Sequence, residues 1–370
     1  MKICFIETSW PHNSRTNRFK ESFKNEGYDV ISVGWDRKGS KKNSENGVYV
    51  KCSNIGYGKP IKKMLSLGSF LLYIYNVLKK EKPDVLFMAH WDSLLLGSIC
   101  RLLLKSDFKL IYDCLDMPTS SYKPVSSLIL GVDKKLASKC NAVFFASRYF
   151  KQFYTIKDNR DIVFENYPST TIVSKIENKL ETFSGLENLA KEKKIISWIG
   201  VVRYFDILKN LIDATAGIKG SHVCFFGDGP DLSKVEHYIN LKGYSHVSLF
   251  GRYKFEDVGQ IYQKSDLIWA AYPTKDFNVR YAISNKYFEC NYFKKTPIFS
   301  KNTMIHKTIN GVSDSVLFVD EYSCNDIRET IMSHNTHAFE KYEDVKFWED
   351  EFLKIIPLVN AKLSTIKNGI

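Results

Sequence analysis

Short apolar runs recur along the first half of the chain: KICFIE, DVISVG, DVLFMAH, KLIYDCL and AVFFAS. Runs this brief and this unbroken are the pattern of strands buried on both faces of a parallel sheet. The longer amphipathic stretches between several of them supply crossover helices. ASRYFKQFY, after the fifth run, predicts a helix start, and DIVFENYPS adds one more short strand and a turn.

From about Pro168 to Lys194 the pattern loosens into polar, charge-rich sequence containing Ser-Gly, which reads as a connection. The rhythm then restarts with IISWIG, VCFFGDGP, VSLFGRY, LIWAAYP, TPIFS and SVLFV. Two successive βα arrays predict an α/β protein of two Rossmann-like, doubly wound domains facing a cleft. Ligands are expected at the carboxyl ends of the strands. The expected boundaries are 1–167, a linker at 168–194, a second domain at 195–345, and a last segment at 346–370. That segment, VKFWEDEFLKIIPLVNAKLSTI, predicts one long helix kinked at Pro357 and packing back towards the first domain.

Composition narrows the class. With 370 residues, 44% hydrophobic and 25% charged, the chain supports two domains with real cores. The longest uncharged apolar run, Met64 to Leu78, falls short of the roughly 20 residues of a membrane-spanning helix. The opening MKICFIETSW reads as a buried strand rather than a signal peptide. Eight scattered cysteines without C-x-x-C spacing predict free thiols in a reducing cytoplasm. The net charge of +12 is lopsided: residues 1–165 carry 27 Lys+Arg against 16 Asp+Glu, and the remainder 26 against 25. A basic first half fits an anionic partner or a solubilising lysine-rich surface.

Candidate chemistry concentrates in the second half. IISWIGVVRYFDILKNLIDA joins a strand, a turn at Gly200 and a helix, with Arg203 and Lys209 across the turn. Two cations at a strand-to-helix junction can grip a diphosphate. A Gly-Asp-Gly-Pro turn follows at Gly227, Asp228 and Gly229, then a strand ending at Gly251 and Arg252. RYAISNKYFECNYFKKTPIF then opens a helix with Ser284, Asn285 and Lys286, carries Glu289, and runs into a Pro-containing strand.

This order over 195–300 resembles the nucleotide-binding half of GT-B glycosyltransferases, particularly family 4 and its relatives. The first half is similar mainly in architecture. The resemblance implies that Arg203 and Lys209 neutralise a nucleotide diphosphate and that Gly227, Asp228 and Gly229 shape the turn beside it. Gly251 and Arg252 would face the base. Asn285 and Lys286 would lie beside the phosphates, and Glu289 would accept from the ribose hydroxyls. The bland reading of Lys286 and Glu289 is an i,i+3 ion pair on a solvated helix face. Family 4 enzymes often carry a second Glu that contacts the donor sugar. Tyr281 occupies that position here, so Asp276, Asn278 and Arg280 are the sugar-side candidates.

In the first half His90, Asp113 and Asp116 lie at strand ends and are the catalytic candidates, His90 having a structural histidine as its alternative. His12, Asn13 and Arg15 either contact acceptor or phosphate, or cap the next helix. No D-x-D triplet occurs, so the expected chemistry is metal-independent, with no cofactor beyond a UDP-sugar or GDP-sugar donor. The implied activity is a retaining hexosyl- or related transferase acting on a lipid-linked or polysaccharide acceptor in capsule, O-antigen or similar surface-glycan synthesis. IGYGKPIKKMLSLGSFLLYIYNVLKKEKP, lysine-flanked and apolar, reads as an interfacial helix on anionic membrane or as a core helix. The expected location is therefore cytoplasmic, peripheral on the inner face of the plasma membrane. The alternatives are a GT-B-fold sugar-nucleotide epimerase and a polyanion-binding protein. No nucleic-acid motif supports the latter, and no G-x-G-x-x-G supports a dehydrogenase.

Overall fold

The computed structural model describes residues 1–39, 46–56, 58–120, 122–171, 183–334 and 339–364. The chain divides into two compact units, Met1–Glu165 with the segment from Glu351 on, and Asn166–Asp350. Within the expected linker, residues 172–182 lie outside the described residues, as do 365–370 of the expected last helix.

The first unit is built on β1 (Lys2–Ile6), β2 (Asp29–Asp36), β3 (Val48–Cys52), β4 (Val85–Ala89), β5 (Lys109–Cys114), β6 (Ala142–Phe145) and β7 (Asp161–Val163). They pair in parallel in the order β3-β2-β1-β4-β5-β6-β7. The order reverses between β1 and β4, the crevice that doubly wound sheets use for ligands. Edge strand β3, VYVKC, carries too weak a pattern to read from sequence, because only Val50 of its five residues is fully buried. Helices α1 (Ser14–Asn25), α2 (Pro60–Glu81), α3 (Trp91–Leu103) and α4 (Lys123–Ala137) provide crossovers.

The helix expected at ASRYFKQFY is reduced to one 3-10 turn, Lys151–Phe153. Side chains at both ends hold the segment. Arg148 pairs with Glu165 at 2.6 Å, and the Tyr154 hydroxyl donates to Asp133 of α4. Asp133 is buried at 1% exposure, and that desolvation pushes its carboxyl up to about 6 despite the tyrosine hydroxyls around it. Between pH ~4 and ~6 the folded protein therefore keeps a proton that the unfolded chain has released, so stability falls as pH rises through this window. By pH 7 the cost is about 3 kcal/mol. We expect the melting temperature of the wild type to drop from pH 5 to pH 7 relative to Asp133→Asn. Parallel pH profiles for the two proteins would discount it.

The second unit repeats the plan with β8 (Lys194–Ile199), β9 (Ser221–Phe226), β10 (Val247–Gly251), β11 (Leu267–Trp269), β12 (Thr296–Ser300) and β13 (Leu317–Val319). The parallel order is β10-β9-β8-β11-β12-β13, reversing between β8 and β11. Its helices are α5 (Leu186–Glu192), α6 (Phe205–Thr215), α7 (Leu232–Lys242), α8 (Val258–Gln263), α9 (Phe277–Tyr281), α10 (Asn285–Phe293), α11 (Met304–Ile309) and α12 (Cys324–Ser333). Helix α5 falls inside the stretch that reads as linker, and its Leu186 joins Phe183 in the core beside β8 and β9.

The last helix, α13 (Trp348–Ser364), contains Pro357. Its Phe352 packs in the first unit against Phe19 and Phe23 of α1 and against Phe164. Burying that ring stabilises the attachment by about 2–3 kcal/mol. Among the described residues no helix is long and apolar enough to cross a membrane.

Candidate functional site

Three turns follow the carboxyl ends of β8, β9 and β10, and main-chain hydrogen bonds lock them together. Gly200 N donates to Phe226 O at 2.8 Å, Val202 N to Asp228 O at 3.0 Å, and Gly227 N to Gly251 O at 2.6 Å. Asp231 closes the set: its amide donates to Val202 O, and its carboxylate accepts from Phe205 N at 3.2 Å, where α6 begins. Glycine is required here. Gly227 has φ +138°, and a Cβ on it would stand 1.9 Å from Gly200 O. A Cβ on Gly229 would stand 2.2 Å from Val202 O. The Gly-Asp-Gly-Pro turn and the Gly200 turn are thus one interlocked piece of backbone.

Helix α10 brings a lysine to that piece. Ser284 caps the helix, accepting from Lys286 N at 3.3 Å. The first turn then aims Lys286 inward, so that a Cβ on Gly200 would lie 3.9 Å from its Nζ. Lys286 is 9% exposed. Burial works against its charge, but Tyr272, Glu289 and Tyr253 outweigh it and hold the ammonium above the usual lysine range. No salt bridge among the described residues includes it. A buried ammonium that touches no carboxylate attracts an incoming anion strongly, because little water screens it. The solvated i,i+3 pair read from the sequence is therefore corrected: Lys286 points into the protein, not along the helix surface.

Glu289, one turn further on, is half-buried and accepts from Tyr262 Oη at 2.6 Å through Oε2. Tyr262 is itself clamped by Phe293, ring on ring at 4.6 Å. This leaves Oε1 of a positioned carboxylate as a ready acceptor. Tyr272, three residues past β11, interacts with Lys286 and meets the rings of Trp198 at 5.6 Å and Tyr204 at 6.3 Å. Sequence reasoning missed Tyr272, Tyr253 and Tyr262, because an aromatic at a strand end or in a helix has no local signature of a site. It also missed Glu321, fully buried, whose Oε1 accepts from both Thr274 N and Thr274 Oγ1 and so fixes the loop after β11.

Other expected residues sit as follows. Arg203 is exposed with its guanidinium over Tyr204 at 4.8 Å, and Lys209 lies over the Tyr238 ring at 5.3 Å. Asp228 pairs with Arg252 at 2.7 Å on the surface, and this hydrogen-bonded pairing lowers the Asp228 carboxyl below its usual range. Asn285 is exposed. On the sugar side, Asp276 caps α9, accepting from Asn278 N at 2.8 Å, and Arg280 lies 5.8 Å from the Phe277 ring.

The first unit corrects two readings. Asp113 is 0% exposed, and its carboxylate receives Arg15 Nε at 2.9 Å and Nη2 at 2.9 Å. Arg15 also donates to Phe164 O at 2.6 Å and lies over the Phe19 ring. Both are buried in the core and paired with each other, so neither is placed to meet an acceptor. Asn13 is a helix cap, accepting from Thr16 N at 2.8 Å. His12 is buried, and its desolvation, with Lys20 nearby, lowers its pKa to about 3. Asp116 is exposed after β5, and His90 is half-buried at the start of α3 with φ +67°. Beside His90 lies a cluster the sequence did not announce. Buried Asp92 accepts from Thr8 Oγ1 at 2.7 Å and pairs with Lys63 of α2. Burial alone would raise the Asp92 carboxyl, but Lys63 and His90 overcome it and hold it low.

Among the described residues no three His, Cys, Asp or Glu converge as a metal site. No protein-family model and no curated protein matches the chain. Solved structures match over nearly the whole length. Sucrose-phosphate synthase from Thermosynechococcus elongatus gives a TM-score of 0.71 at 12% identity, covering 97% of this chain and 98% of that one. Anabaena HepE in complex with UDP and glucose gives 0.68 at 13%, covering 99% and 100%. A UDP-N-acetylglucosamine 2-epimerase, so described, from Listeria monocytogenes gives 0.64 at 11%, covering 97% and 96%. The chain shares their fold: two parallel α/β units, the GT-B architecture expected from the sequence.

Proposed function

We propose that the protein is a glycosyltransferase that takes a sugar from a nucleotide diphosphate donor, UDP-linked or GDP-linked. One observation carries this reading: the buried, charged Lys286 reaches the interlocked glycine turns where the second sheet reverses its order. A diphosphate there would meet a buried ammonium that touches no carboxylate, in surroundings where the attraction is little screened by water. The positive end of α10, which begins at Asn285, adds to the attraction. Glu289 takes the ribose hydroxyls with the oxygen that Tyr262 leaves open. Lys286 stabilises the diphosphate as the C1–O bond to it breaks, with Arg203 and Lys209 adding charge once turned towards it. In a retaining transfer the acceptor hydroxyl attacks C1 from the same face, and its proton passes to the departing phosphate. Cations do what a metal does in other transferases, so the proposed reaction needs none.

The acceptor reading rests on the first unit. Its excess positive charge, and an α2 that leaves Ile61, Met64 and Leu65 exposed beside Lys59 and Lys62, support a lipid-linked acceptor at an anionic membrane surface. Surface-glycan synthesis on a cytoplasmic membrane face is the process this fits. The likeness to the Listeria epimerase supports a second reading, isomerisation of the nucleotide sugar itself. The test is thermal: from a panel of nucleotide sugars, one or a few should raise the melting temperature, and Glu289→Ala should lose most of that rise. No shift with any member rejects the reading. Products decide between the two activities, free nucleotide plus glycoside for transfer, an isomerised nucleotide sugar for epimerisation.

A further inference from the structure

A cavity of about 1420 Å³ opens in the first unit where β5, β6 and β7 begin, at the opposite end of the sheet from His90 and Asp92. Six cations line it: Arg101, Lys105, Lys109, Lys139, Arg160 and Lys362. Two carboxylates, Asp107 and Asp158, line it with them, so cations outnumber carboxylates along the lining by six to two. Like charges gathered in one concavity repel, and that cost is recovered when an anion fills it.

Backbone carbonyls hold both arginines in place. Arg160 donates through Nη1 to Cys140 O at 2.7 Å and through Nε to Lys157 O at 3.0 Å. Arg101 donates through Nε to Ser106 O at 3.4 Å. Carbonyl partners fix a guanidinium but leave its charge in place, which is how an anion site is prepared in advance. Asp158 approaches Arg160 only at 3.5 Å and is mostly solvated. Among the described residues no salt bridge includes Arg101, Lys105, Lys139 or Lys362.

We infer that this cavity binds a ligand carrying clustered phosphate groups. Arg101, bonded among the described residues only through Nε, can offer its two Nη groups to a pair of phosphate oxygens, and Arg160 adds a fixed positive charge beside it. The volume exceeds the ~300–1,000 Å³ of a typical small-molecule pocket, so the ligand presents several anionic groups rather than one. The apolar lining is Leu102, Leu110, Leu136 and Ala361, with no aromatic ring on which a base would stack. Clustered phosphates reach the cavity from two sources, a soluble oligophosphate or the headgroups of an anionic lipid surface.

The experiment uses the full chain at about 0.05 M salt, where exposed charges are weakly screened, with two probes: tripolyphosphate by calorimetry, and phosphatidylglycerol vesicles by co-sedimentation. Lys105→Gln/Lys139→Gln changes two exposed side chains with no buried partner, and a thermal melt checks that it folds. Lys286→Met reports on the other anion site. The expected result is roughly tenfold weaker binding of at least one probe in the Lys105/Lys139 variant. Lys286→Met should leave that component intact. Loss with tripolyphosphate assigns a soluble ligand, and loss with vesicles alone assigns lipid headgroups. If neither probe binds, or the Lys105/Lys139 variant binds both as well as wild type does, the inference is overturned.

Discussion

Asp113→Ala should destabilise the first unit by about 3–5 kcal/mol, because it strands the Arg15 guanidinium in the core without the carboxylate that balances it. Removing one partner of a buried pair costs far more than the pair contributes, since the remaining charge keeps its desolvation penalty. The double variant Arg15→Met/Asp113→Leu should recover much of the loss, as both charges then go together. Urea denaturation followed by circular dichroism measures both. The competing view makes Asp113 a reacting group. It predicts the opposite pattern, an Asp113→Ala protein of normal stability that has lost its turnover.

Lys286→Met should weaken nucleoside diphosphate binding about 10- to 100-fold, the range for losing a charge-assisted contact. Turnover should fall further, since charge on the leaving diphosphate grows in the transition state. Stability should fall only slightly, because Met fills a similar volume and the attraction of Tyr272, Glu289 and Tyr253 that is lost is largely offset by the desolvation that goes with the charge. Calorimetry with UDP and GDP, together with a melting curve, separates the two effects. Unchanged affinity for both nucleotides would exclude Lys286 from the site. A Lys286→Met protein that is markedly less stable would instead mark the lysine as a structural group.

The architecture was legible because its signals are local. Uninterrupted runs such as KICFIE and VCFFG can only be buried strands, and glycine turns after them can only lie at strand ends. Local signals failed where neighbours decide. ASRYFKQFY has helical spacing, yet its ends are committed to contacts with Glu165 and Asp133, and only one 3-10 turn forms between them. VYVKC is a strand because β2 offers it an edge, not because of its own pattern. Likewise His90, Asp113 and Asp116 look alike as polar residues at strand ends. The three differ in burial, which depends on what packs over each from elsewhere in the chain.

The same division runs through the stretch RYAISNKYFECNYFKKTPIF. Its Ser284 cap, its helix and its following strand were set by residue type and spacing alone. The direction in which Lys286 points was not, since the same i,i+3 spacing serves equally for a solvated ion pair. Only the packed sheet sets a lysine against Gly200 and surrounds it with Tyr272 and Tyr253. Sequence thus determined which groups this chain has and in what order. The tertiary structure decided which charges lose their water, because desolvation is a property of the surroundings, and it is desolvation that turns an ordinary lysine into a candidate anion site.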